Sequence, residues 1–453
     1  MEKRVISDKS RFHAEISFKN CVFLGTVNFG HSELKECSFS NAKFMKNTHF
    51  NNIRFINKSS FSGIIFENDV IFNHSIFEDS ASFDGQAKFH KSAAFIAADF
   101  NGPANFRGAQ FLGAATFGGG ASQREMSFHG VHFREGASFA SRAMQGLADF
   151  REAVFEAGIS CEGAVFAGRV CFSEARFLSS KQLDAEFPIN FYEARFTREA
   201  EFRNARFEMA VDFSAGVAGE GSPSFSRRSY FNGVRFKGAV RFNNRGFKDI
   251  ASFVGVIFEK APDFDKCYFH RGSTFTGVKA LEVNANVEGL YRGLRQHMRN
   301  LGARIEEGTF FAMEQRCRRK AMRGWNVFRW PTLALSWLYD FTAAYGESIW
   351  RPLITLLILV GLTWLGFEAV ARYAAGVEIP SGRLIGFAFE QIVRPFFVWQ
   401  IGEGSQRAHW ACPLVAAAPA AMKGLGTFLT VVGLGYLAIF LIALRRRFAL
   451  HTG

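Results

Sequence analysis

No tryptophan occurs before residue 325, and no pair of cysteines anywhere has the C-x-x-C spacing. The first absence divides the chain, because 43 of its 55 phenylalanines lie at or before Phe275 while all seven tryptophans (325, 330, 337, 350, 364, 399, 410) lie after it. The second argues against a zinc site. The seven cysteines (21, 37, 161, 171, 267, 317, 412) are odd in number and scattered, which argues against a disulfide framework and fits a reducing compartment. There is no P-loop, no G-x-G-x-x-G opening a helix, no H-E-x-x-H and no G-x-S-x-G, so no enzyme, cofactor or metal is expected. His129 and His132 in "SFHGVHF" form an H-x-x-H, but they flank inward phenylalanines and should face water rather than a metal. The N-terminal "MEKRVISDKSRFHAEISF" lacks an apolar core, which predicts no secretory leader.

A marked acidic excess is missing too. Residues 1 to 280 carry 35 Lys+Arg against 30 Asp+Glu, and the remainder 19 against 11 within a total of +13. The first part is nearly balanced and the second basic. Beside apolar segments a basic excess points to the cytoplasmic flank of a membrane span, and nucleic acid is not expected as a partner.

What the first part has is a phenylalanine every five or six residues. In "ANFRGAQFLGAATF" they stand at Phe106, Phe111 and Phe117, and the longest clean run is 225, 231, 236, 242, 247, 253, 258, 264, 269 and 275. The unit is eleven residues with two phenylalanines. Eleven residues also make about three helical turns, but sites five and six apart would straddle different helix faces, and the Gly and Asn/Asp between them disfavour long helices. The residue two before each Phe is nearly always small or modest in size: Ala104, Ala109 and Ala115 here, Val234 and Ser273 later. In an extended segment positions i and i−2 share a side, so each short side turns one large and one small residue inward. The expected core therefore contains Phe106, Phe111 and Phe117 with Ala104, Ala109 and Ala115 as their partners, in a β-solenoid that buries a continuous core only by stacking.

Ala98-Asp99-Phe100, Ala104-Asn105-Phe106 and Ala148-Asp149-Phe150 match a small residue, Asp/Asn, then Phe. In this the chain resembles the pentapeptide-repeat proteins from Phe12 to Lys279. The resemblance implies an all-β, right-handed quadrilateral β-helix. The sixth residue in every second unit departs from the family pattern and predicts a side or corner enlarged by one. On that basis a coil is two eleven-residue units, and Phe18 to Phe275 makes about twelve coils, a rod of about 55 Å. Ser122 and Met144 stand where phenylalanine is due. Insertions between Ser179 and Phe191 and between Ser214 and Phe225 should project as loops.

After Phe275 the rhythm stops, and Leu290, Leu294, Met298, Leu301 and Ile305 recur at helical spacing. This helical connector, with Gly302 as a bend, either caps the last coil or couples the rod to the membrane. A second helical stretch ends in the basic cluster Arg316, Arg318, Arg319, Lys320 and Arg323. Residues 353–371 and 425–444 are long and apolar enough to cross a ~30 Å hydrocarbon core. Trp330, Trp337, Tyr339 and Trp350 suggest an interfacial segment leading into the first span. Arg351 and the cluster before the first span, with Arg445, Arg446 and Arg447 after the second, place both termini and the β-helix in the cytoplasm, on the inner or plasma membrane. The domains expected are 1–280, 281–350 and 351–453.

Between the spans, residues 384–404 are apolar but contain Glu390, Arg394 and Pro395, which suits a re-entrant segment rather than a third crossing. Span, re-entrant segment and span resemble the two-transmembrane pore module of potassium channels. Opposite that family's T-V-G-Y-G stand Gln400, Ile401, Gly402, Glu403 and Gly404, of which only the two glycines match. Glu390 and Arg394 can pair at i and i+4, and Gly433 and Gly435 are hinge candidates in the second span. Two functions are expected from this arrangement. One is an oligomeric ion channel or channel-like protein, a tetramer if the resemblance holds, gated or scaffolded by the solenoid. The other is a non-conducting, membrane-tethered scaffold whose β-helix binds a cytoplasmic protein. Mimicry of DNA, a role of some pentapeptide-repeat proteins, needs an acidic surface that this sequence lacks.

Overall fold

The computed structural model describes residues 5–6, 9–178, 188–216, 224–322, 330–348, 350–372, 380–393 and 419–448. They fall into two compact units, 1–283 with 289–306, and 284–288 with 307–453.

The first unit is a parallel β-solenoid of about twelve coils. Its strands are mostly two residues long and form three parallel sheets of 11, 12 and 21 strands, the largest covering two of the four sides. Glu33–Ser38 turns the corner between those two sides, pairing with both Arg54–Phe55 and Ser59–Ser60. Each coil lies in register on the next, as when Ala104 pairs with Met126 and Ala115 with Ala137. Phe106, Phe111 and Phe117 are fully buried with Ala104, Ala109 and Ala115 beside them. Phe106 stacks on Phe83 at 4.6 Å and on Phe128 at 5.0 Å between ring centroids. It meets Phe117 edge to face at 5.3 Å. Stacking along a column and edge-to-face contact across the coil both suit the aromatic quadrupole. After the two insertions the register resumes, with Ile159 on Ile189 and Phe196 on Phe225; residues 179–187 and 217–223 lie outside the described set.

The five-then-six step has a local cause. Five-residue steps turn through a left-handed residue two places after the phenylalanine: Gly108, Asn52, Asn204 and Gly233 have φ between 54° and 68°. The amide one place further on returns to the phenylalanine carbonyl, as from Ala109 to Phe106 at 3.0 Å. That is the geometry of a turn that favours Gly or Asn at its third position. Six-residue steps use a different corner, where successive coils approach closely: a Cβ on Gly113 would lie 2.5 Å from the carbonyl carbon of Lys91.

Two arginines break the inward pattern. Arg142 and Arg245 occupy positions where the repeat places a small residue, two before Met144 and Phe247, and both are completely buried. Arg142 fills the space that Ser122 leaves in the column between Phe100 and Phe166, with its guanidinium 5.3 Å from the Phe100 ring centre. It donates from Nη1 to the carbonyls of Phe117 (3.0 Å) and Gly119 (3.2 Å), and from Nη2 to Ala98 O (3.0 Å) and Ser122 Oγ (3.0 Å). Those carbonyls need a donor. Gly120 has a φ of 62°, so its amide does not return to Phe117, and Ala121 N donates to the Asp99 carboxylate at 2.8 Å instead of to Ala98 O. Arg245 repeats the device below the second insertion, donating to the carbonyls of Phe213 (2.5 Å), Ala194 (2.6 Å), Ser214 (2.9 Å) and Phe191 (3.0 Å). There Gly216 N is drawn to the Glu193 carboxylate and does not close the turn on Phe213. Burial pulls both guanidinium groups down to about 10, against nearby Asp99 for Arg142 and Glu193 for Arg245, so both remain charged at neutral pH. Arg142 thus satisfies carbonyls that an irregular turn in the preceding coil has orphaned, and Arg245 does so for Phe213 O while adding a second donor to Phe191 O and Ser214 O, which already accept the Ala194 and Glu193 amides.

Helix α1 (Glu288–Leu301) covers the last coils with Tyr291, Leu294 and Met298. The Tyr291 hydroxyl donates to Glu282 O at 2.7 Å, and His297 Nε2 lies 3.3 Å from Phe264 O with its ring edge-on to Phe269. Gly302 ends the helix in the left-handed region rather than bending it, and Ile305 is exposed, so the apolar stripe stops one turn earlier than the spacing suggests. Burial lowers the His297 pKa below 6.5, outweighing its bond to Phe264 and the Asp265 charge. The undocked imidazole therefore takes up a proton first, and the stability that depends on neutral His297 is complete above pH 6.5 and lost as pH falls below it. Amide exchange in α1, corrected for the intrinsic rate, should accelerate on acidification through pH 6.5, and His297→Phe should remove that dependence.

The second unit is helical: α2 (Arg304–Ala321, whose first turn belongs to the first unit), α3 (Trp330–Ala343), α4 (Trp350–Val370), α5 (Ser381–Val393) and α6 (Pro419–Phe448). Among the described residues α4 alone has both the length and the apolar composition to cross a membrane, and the apolar part of α6 is Val431–Ile442.

Candidate functional site

In the helical unit α4 packs against α5, and both meet α6. Their shared core is Val360, Phe367 and Ala371 from the α4 segment, Leu384 and Ala388 from α5, and Leu429 from α6. The spacing of Leu384 and Ala388 puts them on one face of α5. The opposite sides remain apolar but uncovered: Leu357, Leu362 and Leu365 on α4, Ile385 and Phe389 on α5, and Val431 and Leu434 on α6 are exposed. At the end of α4, Arg372 pairs with Glu368 at 2.5 Å, four residues apart.

Glu390 lies on α5, within the last turn described for that helix. Arg394, Gln400, Ile401, Gly402, Glu403 and Gly404 lie outside the described residues. Gly433 and Gly435 are inside α6, which runs unbroken through both; Gly433 is buried, and a Cβ on Gly435 would meet open space.

A polar cluster missed by spacing arguments joins α2 to α3. Asp340 takes Arg316 at 2.9 Å and Arg319 at 2.7 Å. Arg319 also stacks its guanidinium 4.2 Å from the Trp337 ring centre and reaches the Tyr345 hydroxyl at 3.3 Å. Burial alone would raise the Asp340 carboxyl, but the hydrogen bonds and charges of both arginines outweigh it and hold it below the ordinary carboxylate range. The signal available in the sequence was weak: one acid on an aromatic helix and a basic run some twenty residues earlier. Tyr345 itself sits at a tight reversal between α3 and α4, where Ala344, Tyr345 and Gly346 all have positive φ (47°, 58° and 89°).

On the solenoid, a groove of about 990 Å³ runs along successive corners, with Gly146, Ala167 and Gly168 among the residues lining it and Arg169, Arg198, Arg227 and Arg228 around it. Arg169 is tied to Glu201 at 2.5 Å. His132 is paired with Glu156 at 2.6 Å and His129 lies 3.9 Å from Glu152. Among the described residues no group of three or more His, Cys, Asp or Glu side chains is placed to hold a metal. The six described cysteines are free, and burial drives the Cys37 and Cys161 thiols well above the ordinary thiol range. Protonated, enclosed thiols of this kind are inert fillers.

No curated protein and no solved structure matches the chain. A family model described as Pentapeptide repeats (9 copies) matches residues 8–54. That segment forms the opening coils of the register that continues to Lys279, so the match to pentapeptide repeats sits at the start of a parallel β-solenoid of about twelve turns followed by helices, one of them of membrane-crossing length.

Proposed function

We propose that the chain is a membrane protein in which α4 and α6 cross the bilayer, the segment from α5 to Gly404 re-enters it, and several copies, four by the potassium-channel resemblance, assemble into a channel-like ring with the solenoids in the cytoplasm. The observation that carries this reading is the apolar exterior of the helical unit, since Leu357, Leu362, Val431 and Leu434 would otherwise stand in water. Helix α5 supports the re-entrant element. Its 13 residues rise about 20 Å, short of a ~30 Å hydrocarbon core, and it packs between the two longer helices. Two spans enclose no pore alone, which is why the reading needs more than one copy. Glu390 and the Gln400 to Gly404 segment are the residues assigned to the conduction path, with Gly433 and Gly435 as the flexible points of α6.

The second reading is a non-conducting tether, with membrane lipid around its helices and the solenoid holding a cytoplasmic protein. The groove lined by Arg198, Arg227 and Arg228 together with Glu199 and Asp249 favours it, because it sets charged groups along the side of the rod where a protein partner could pair with them. Planar-bilayer recording of the purified full chain, together with its oligomeric state in detergent, separates the two. A closed ring with discrete currents is expected, abolished or altered in ion preference by Glu403→Gln. Monomers that pass no current across a range of ions and pH would overturn the channel reading and leave the tether.

A further inference from the structure

We propose that α3 is a lipid-docking helix that lies along the membrane surface, with Trp330, Trp337, Leu338 and Phe341 in the boundary between headgroups and acyl chains, and that the cations around it select anionic lipid. This rests on the membrane reading of α4 given above.

At the helical period these four residues share one face with the exposed Ala334. Trp330, Trp337 and Phe341 are 65%, 63% and 65% exposed, an unusual state for three large aromatics on one helix. Ser336, Tyr339 and Asp340 on the other side of the helix are committed to its own unit, with Leu335 left exposed between the two sides. Ser336 bonds to the Tyr345 hydroxyl at 2.6 Å, Tyr339 packs edge-on to Tyr345 at 5.4 Å, and Asp340 is taken by Arg316 and Arg319. Tyr339, which sequence alone groups with the tryptophans, therefore does not belong to the outward face, and Leu338 and Phe341 do. The 14 residues of α3 rise about 21 Å, too little to cross a bilayer and ample to lie in its surface.

Two further features fix the occupant. The left-handed reversal from Ala344 to Gly346 returns the chain within a few residues to the exposed Trp350 at the start of α4, and Arg351 reaches back to Asp340 O at 3.3 Å. The outward face of α3 is thereby held beside the first turn of the helix proposed to span, at the depth where aromatic residues gather. The surrounding charge is positive. Asp340 is the one acid on α3 and is matched by two arginines, while Arg318 and Arg351 remain exposed. A cationic rim around an aromatic face is complementary to anionic headgroups.

The test uses the full chain reconstituted in phosphatidylcholine vesicles, with or without phosphatidylglycerol, that contain lipids brominated near the headgroup or near the chain end. One variant keeps only Trp337 and another only Trp364 in α4, the remaining tryptophans being replaced by phenylalanine. The expected result is quenching of Trp337 by the shallow bromines, stronger with phosphatidylglycerol, and of Trp364 by the deep ones. Trp337 left unquenched while Trp364 responds would mean that a second copy or another protein covers the face, and would overturn the inference while sparing the span. Indifference of Trp337 to phosphatidylglycerol would overturn the lipid selection. Silence from both would remove the membrane reading itself. As a check independent of multiple replacements, an environment-sensitive label on Leu338→Cys should shift to the blue on reconstitution, and the same label on Ser336→Cys should not; equal behaviour of the two overturns the facial assignment.

Discussion

Arg142→Ala is expected to destabilise the middle of the solenoid by about 2–5 kcal/mol, because it strands buried carbonyls and opens a cavity at once. The carbonyls of Phe117 and Ala98 would lose the guanidinium donor and could not recover a main-chain one, since the Gly120 and Ala121 amides are turned elsewhere. Arg142→Met separates the two contributions: it keeps most of the volume and loses the donors. If hydrogen bonding to the irregular turn is the reason for the arginine, the methionine variant should retain a large part of the loss; a variant as stable as the parent would sink that explanation. The measurement is amide exchange across residues 95–145, where the loss should be concentrated, because a solenoid's coils are coupled chiefly to their neighbours. Ser122→Phe adds a sharper test. A phenylalanine there would fill the gap in the column between Phe100 and Met144, but Arg142 already occupies the space. The single change should therefore be destabilising, and Arg142→Ala with Ser122→Phe should be less destabilised than the sum of the two singles.

The second large effect is expected from Phe106→Ala, at about 3–5 kcal/mol. Phe106 is fully buried between Phe83 and Phe128 in its own column and meets Phe95 and Phe117 across the coil at 5.6 and 5.3 Å. Its removal breaks stacking in two directions, and coils above and below cannot close on the gap without losing their own register. Phe106→Leu should cost distinctly less, because it keeps apolar volume and loses only the ring contacts. The terminal Phe275 stacks on one side only, on Phe253 at 4.8 Å, so Phe275→Ala should unfold the final coil locally and leave the midpoint of the main transition near its original value. Chemical denaturation followed by the near-ultraviolet signal, with exchange at the last coil, distinguishes these outcomes. Equal effects at Phe106 and Phe275 would contradict a core built from nearest-neighbour stacking.

The solenoid was legible because its information is local: a phenylalanine and a small residue two before it describe one side, whereas the left-handed corner two places on is occupied by Gly and Asn but also by His31, His74, Glu152 and Lys266, and so leaves a weaker mark. Ser122 and Met144 were legible as gaps for the same reason. Their meaning was not, since the groups that Arg142 contacts lie between 20 and 44 residues away and come together only when the coils are stacked. Both arginines nevertheless carry a local mark, each being a charged residue two places before an inward position. In the connector the helical spacing includes Leu294 and Met298, which are buried, and omits Tyr291, which is buried too; it also includes Ile305, which is exposed because Gly302 stops the helix before the stripe reaches it. The aromatics before α4 pointed to an interface by type alone, and only helix geometry separates Trp330 and Trp337 from Tyr339. The residues with the strongest chemical interest, Arg394 and Gln400 to Gly404, lie outside the described part of the chain, and their assignment rests on the resemblance and on the placement of α5.

The alternation of two corner designs has a consequence for how such a chain can change length. An extra residue along a side would reverse which side chains face inward, and an extra residue at a corner has no place in the register of the next coil. The addition that disturbs neither is a whole coil, such as Ala104 to Glu125, because its ends already meet the register of Met126. The rod therefore behaves as a stack of interchangeable storeys whose height can be altered one floor at a time, except near Arg142 and Arg245, where a storey is bolted through to the one beneath and the two can be removed only together.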